Sequence, residues 1–127
     1  MAPRARRLPG GRRSKYRAIR TTVDEIAFAS KAEARRYREL LLLGLAGEIR
    51  NLELQPRFPI TVNGQTVATY VADFRYQEIE PWQRGLEWEW KDVVEDVKSP
   101  MTRKLPTYRL KKKLVEAQHG IVIREVR

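Results

Sequence analysis

Apolar and polar positions change period along the chain, and each change predicts an element. In "SKAEARRYRELLLLGLAG", residues 30–47, Tyr37, Leu40, Leu41 and Gly44 recur at helical spacing and predict a first helix. Ser30 with Glu33 fits a capping box, and Gly47 suits the stop. Glu33 extends the helix's inner face at its N-terminal end. Just before it, Val23 to Phe28 read as one short strand or extended segment. From Glu48 to Glu80 the pattern turns to β. Asn63-Gly64, set between two β-branched runs, predicts a hairpin. In the strand that follows, Val67, Thr69, Val71 and Asp73 share one face. Ala68, Tyr70, Ala72 and Phe74 share the other.

"PWQRG", residues 81–85, predicts a turn, and "LEWEWKDVVEDVKS" a long strand antiparallel to the one before. Val94, Asp96 and Lys98 lie on one side of this strand and Val93, Glu95 and Val97 on the other. "SPMTRKLP" reads as a loop. "TYRLKKKLVEAQHG" reads as a second helix, with Leu110, Leu114 and Ala117 as its apolar row and Gly120 as its stop. "IVIREV" closes as a strand. The order α, hairpin, β, α, β predicts an α/β or α+β layer arrangement. There are no internal repeats.

Charge divides the chain again. Residues 1–20 hold eight Lys or Arg and no acid, and residues 98–113 hold seven, again with no acid. The segment between is acidic on balance, although the net charge is +10. Two basic stretches around an acidic middle suit a polyanion held at a site that itself needs carboxylates. The first stretch, with Arg12, Arg13, Lys15 and Arg17, reads as a flexible arm over 1–20 ahead of a single domain over 21–127. In the second, Arg103, Lys104, Lys111 and Lys112 read as phosphate contacts, or else as a solvated face.

Cysteine is absent and His119 is the one histidine, so disulfides, thiolate zinc sites and His-rich metal sites are excluded. No apolar run approaches the ~18 residues of a membrane span, and no signal-peptide pattern opens the chain. The expectation is a soluble, cytoplasmic protein with no membrane partner and no nucleotide cofactor.

"VVEDVKS", residues 93–99, carries the chemical question. Asp96 and Lys98 point to the same face of a strand that reads as core. Buried charges are costly unless paired or used. If Asp73 on the neighbouring strand converges with them, two carboxylates and a strand carbonyl make an oxygen-rich site for a hard cation such as Mg²⁺. A lysine beside it would orient a water or balance a phosphate. Each residue alone has a plainer reading as an exposed pair or a strand end. Glu33 can serve as capping acid, as a third carboxylate of the site, or as both. Gln55 can approach the site from an adjacent strand, and Glu95, on the opposite face, reads as structural.

Helix glutamate, "AD" on one strand, "EDVK" on the next and a basic helix after them resemble the PD-(D/E)xK nuclease superfamily. Alanine stands at position 72 where the family name has proline. "YVADFRY", "VVEDVKS" and "YRLKKKLVEAQHGI" are similar to small phage-encoded nucleases related to archaeal Holliday junction resolvases. The resemblance covers roughly residues 15–123 and departs from the family mildly at Ser99, where glycine is common. It implies an α/β restriction-endonuclease-like core, a central mixed β-sheet flanked by helices. It implies Glu33, Asp73, Asp96 and Lys98 as catalytic residues, the three acids binding Mg²⁺, with Mn²⁺ able to substitute. It further implies a homodimer acting on branched DNA, in the host cytoplasm if phage-encoded. The alternatives are a nuclease for other branched or linear DNA, and a non-enzymatic basic DNA-binding protein.

Overall fold

The structure is a computed structural model and describes residues 21–24, 26–79 and 89–127. The basic arm, the "PWQRG" turn, Trp82 and Trp88 lie outside the described residues. The chain divides at Leu42–Leu43, within the first helix, into two units.

In the first unit the single strand expected before the helix is two: β1 (Thr21–Val23) and β2 (Ile26–Phe28), antiparallel. The chain reverses after Val23 with Asp24 at φ +50°. Helix α1 (Lys31–Leu45) follows. Ser30 caps it, its hydroxyl accepting from the Glu33 N–H at 3.1 Å. Glu33 reaches back to the Ala29 N–H at 3.3 Å, one residue earlier than in an ideal capping box. Ala34, Tyr37 and Leu40 are buried at i, i+3 spacing, and the Tyr37 ring meets Phe28 at 5.1 Å. The helix ends in a Schellman motif: Glu48 N–H donates to Leu43 and Gly47 N–H to Gly44, with Gly47 at φ +76°.

The second unit is mixed α/β. Strands β3 (Ile49–Leu54), β6 (Phe74–Ile79), β7 (Trp90–Val97) and β8 (Ile123–Val126) form a sheet in the order β3-β6-β7-β8, antiparallel except for the parallel β7–β8 pair. Strands β4 (Arg57–Val62) and β5 (Gln65–Val71) form a separate hairpin. Its turn, Asn63 at φ +50° and Gly64 at φ +79°, has the left-handed pair that a two-residue type I′ turn requires. The run read as one strand through Phe74 is therefore two. It breaks at Ala72-Asp73, where the chain leaves the hairpin for the four-stranded sheet. "SPMTRKLP" is not only loop: Ser99 caps a short helix, α2 (Pro100–Arg103).

Helix α3 (Pro106–His119) ends at Gly120, φ +63°, as its sequence predicts. Its buried face is not the expected one. Val115 is fully buried, whereas Leu110 and Leu114 are 60% and 42% exposed. Val115 joins Phe58, Ile60, Tyr70, Ala72, Val94 and Ile123 in one core, uniting the hairpin, the sheet and α3. Its burial is worth about 1.5–3 kcal/mol. Polar contacts fix that face: Gln118 Nε2 donates to Thr61 Oγ1 at 2.6 Å, and Gln118 Oε1 accepts from the Thr61 N–H at 3.0 Å. His119 places Nε2 2.7 Å from the Pro59 carbonyl and packs its ring at a steep angle to Phe58. The helix turns toward the strand that satisfies these groups, and the leucine stripe faces away.

Candidate active site

The break at Ala72-Asp73 creates the site. At the seam, Gln55 N–H donates to the Asp73 carbonyl at 3.0 Å and Ala72 N–H to the Pro56 carbonyl at 3.1 Å. Gln55 thus reaches Asp73 through its backbone, and the residue is otherwise exposed. Across the seam lies the end of β7. The Asp73 N–H donates to Asp96 Oδ1 at 3.0 Å and to the Glu95 carbonyl at 3.2 Å. In return the Val97 N–H donates to Asp73 Oδ2 at 2.7 Å. Each acid thus accepts a backbone N–H from the other side of the seam, Asp96 from Asp73 and Asp73 from Val97, and no hydrogen bond among the described residues falls on Asp73 Oδ1.

Asp96 is fully buried, and its Oδ2 accepts from the Tyr70 hydroxyl. Lys98 places Nζ 3.9 Å from Asp96 Oδ1 and 5.6 Å above the Tyr108 ring. Its own N–H is tied to the Val126 carbonyl at 2.8 Å. Asp73, Asp96 and Lys98, singled out in the sequence, are thus brought together. Glu33 belongs to the first unit, in the cap of α1.

Burial pushes the carboxyls of Asp73 and Asp96 above the ordinary range. The Val97 N–H and Lys98 pull Asp73 back in part, and Lys98 and the Asp73 N–H do the same for Asp96. At both carboxyls burial outweighs these donors and ammonium groups. The donor set is hard oxygen with one lone-pair face free at Asp73, which fits part of the shell of a small dication that keeps several waters. Among the described residues no three His, Cys, Asp or Glu side chains form a group that could hold a metal ion.

Two residues that sequence reasoning missed stand behind Lys98. Glu125 is the β8 register partner of Asp96. Its Oε2 accepts from the Tyr108 hydroxyl at 2.8 Å, and Lys112 Nζ lies 3.4 Å from its Oε1. Partial burial pushes Glu125 up, but the Tyr108 hydroxyl and Lys112 outweigh it and hold its carboxyl low. Burial and Glu125 together push the Tyr108 phenol far above its usual value. Finding Glu125 needs the β7–β8 register, which no local pattern carries. The strand alternation sets Tyr70 on the face opposite Asp73, yet the break at Ala72-Asp73 brings both to Asp96.

The expected phosphate contacts separate. Arg12, Arg13, Lys15 and Arg17 lie outside the described residues. Lys112 is engaged by Glu125, and Lys104 is exposed. Arg103 buries its Nε without a hydrogen-bond partner. Lys111 lines a cavity with Asp96 and Lys98. Trp90 lies beneath the Arg50 guanidinium, 4.2 Å from its ring centre.

Fold and site together define a mixed α/β protein with a paired-carboxylate and lysine centre at the seam between two sheets. The chain belongs to DUF1064, a family of proteins of unknown function, whose model matches residues 13–127. No curated protein and no solved structure matches it significantly. No helix among the described residues is long and apolar enough to cross a membrane.

Proposed function

We propose that this chain is a Mg²⁺-dependent endonuclease of the PD-(D/E)xK type, acting as a dimer on four-way DNA junctions. The observation that carries the reading is the clasp of Asp73 and Asp96 with Lys98 Nζ 3.9 Å from Asp96 Oδ1. Burial raises both carboxyls further than their hydrogen bonds and Lys98 lower them, and a cation bound between them would supply the missing positive charge.

Asp73 and Asp96 would hold the ion, which when bound supplies positive charge to a phosphate oxygen and acidifies water. Lys98, steadied by Asp96 and the Tyr108 ring, orients the attacking water and offsets charge developing on the phosphate. Water forms a new P–O bond to the backbone phosphate in line with the P–O ester bond that breaks, losing one proton as the leaving oxygen takes one up as a hydroxyl. The basic residues outside the clasp grip backbone phosphates, so affinity falls steeply with salt.

The test is strand nicking of a synthetic four-way junction and a matched linear duplex, with Mg²⁺ or chelator. Paired nicks confined to the junction, lost with chelator and in Asp96→Asn, support the reading. Equal cutting of both DNAs keeps the nuclease and discards the junction specificity. Salt-sensitive binding without cutting of either DNA leaves a DNA-binding protein.

A further inference from the structure

Beside the clasp lies a cavity of about 320 Å³, walled by the end of β5 and the first turns of α3. This is at the small end of the range for ligand pockets. One wall is apolar: Val71, Leu105 and the Tyr108 ring line it. Val71 and Leu105 are 41% and 39% exposed, so the protein leaves this wall uncovered. The opposite character comes from Lys98, Lys111 and Thr107, with Asp96 the one acid among the described lining residues.

Neighbouring lysines on α3 have different fates. Lys112 is neutralised by Glu125 at 3.4 Å, whereas Lys111 has no ion pair among the described residues. An uncompensated ammonium, a hydroxyl and an uncovered apolar wall suit a ligand with a negative group and a flat apolar body. We infer that this cavity is a nucleotide subsite. It seats the sugar and base of the nucleotide flanking the cleaved phosphate, with Lys111 on the adjoining phosphate. The inference deepens the nuclease reading and rests on it for the ligand being part of a DNA strand.

The test has a binding arm and a cleavage arm. In the first, ¹⁵N-labelled protein in chelator is titrated with thymidine monophosphate, thymidine or inorganic phosphate. The expected result is saturable shifts of the Val71, Thr107, Tyr108 and Lys111 amides, tighter for the nucleotide than for either fragment. Lys111→Gln weakens nucleotide binding about fivefold or more, and Lys113→Gln, an exposed lysine on the same helix, changes it less than about twofold. Equal losses in both variants, or shifts scattered over the basic surface, overturn the subsite. In the cleavage arm Lys111→Gln raises KM for DNA by a similar factor. A protein that cuts DNA but seats no nucleotide here refutes the subsite alone. A protein that seats the nucleotide but cuts none of the DNAs refutes the nuclease and keeps the subsite.

Discussion

Strand β7 buries two adjacent acids, Glu95 and Asp96, both fully. They face opposite sides of one sheet and live in different surroundings. On the Glu95 side the polar groups form a closed chain. Tyr76 donates to Glu95 Oε2 at 2.6 Å, Arg124 Nη1 approaches the Tyr76 hydroxyl at 3.4 Å, and Arg124 grips Glu78 in a two-pronged pair at 2.7 and 3.1 Å. On the Asp96 side the chain stays open: a second carboxylate, an ammonium at 3.9 Å and a cavity beyond. Equal burial thus carries opposite meanings. The Glu95 network is completed from within the protein, and the Asp96 network has room for something from outside.

Substitution breaks this comparison most sharply at Asp96. Asp96→Asn or Lys98→Met should lower nicking at least about a thousandfold with DNA affinity retained or raised, whereas Glu95→Gln should stay within a few-fold. Comparable losses in Glu95→Gln and Asp96→Asn would erase the distinction.

Stability should show the reverse order. Glu95→Ala leaves the Tyr76 hydroxyl without its acceptor and opens a cavity, at a cost of about 2–4 kcal/mol by chemical denaturation. Asp96→Asn should instead raise Tm in chelator at neutral pH by a few degrees. A carboxyl whose pKa is raised by folding holds its proton more tightly in the folded state. Its contribution is fully present below the unfolded pKa and is lost as pH rises through the folded one. The Tm advantage of Asp96→Asn should therefore shrink as pH falls toward the unfolded value, and added Mg²⁺ should raise Tm in the wild type only.

The smallest effect distinguishes the two tyrosines. Tyr70→Phe removes a donor to ionised Asp96, so its carboxyl rises further and the acidic limb of the pH–rate profile moves to higher pH. Tyr76→Phe, on the closed side, should leave that limb in place.

Much of this was legible in the chain, for reasons that differ residue by residue. Asn63-Gly64, Gly47 and Gly120 fix backbone shapes by local sterics, so their turns and stops could be read directly. The strand alternation put Asp96 and Lys98 on one face and Glu95 on the other, and this held. What failed was tertiary. The leucines of α3 promised a buried face, but Gln118 and His119 find partners only when Val115 points inward. The break at Ala72-Asp73 was hidden because an uninterrupted apolar alternation reads the same whether the chain stays in one sheet or changes sheets. Glu125 was missed because its partner lies in a parallel strand separated from it by two helices.

That break has a further consequence, for assembly. The hairpin on one side closes locally around its turn, while β7–β8 pairing joins segments distant in sequence, such as Val94 and Ile123. Asp73 is the hinge-pin between them, and its clasp with Val97 can form only after both have docked in register. A one-residue slip of β5 would turn Tyr70 outward and leave Asp96 without its hydroxyl partner. The charged centre is therefore a check on register as well as a site: its contacts form only where β5 and the end of β7 meet as they do here.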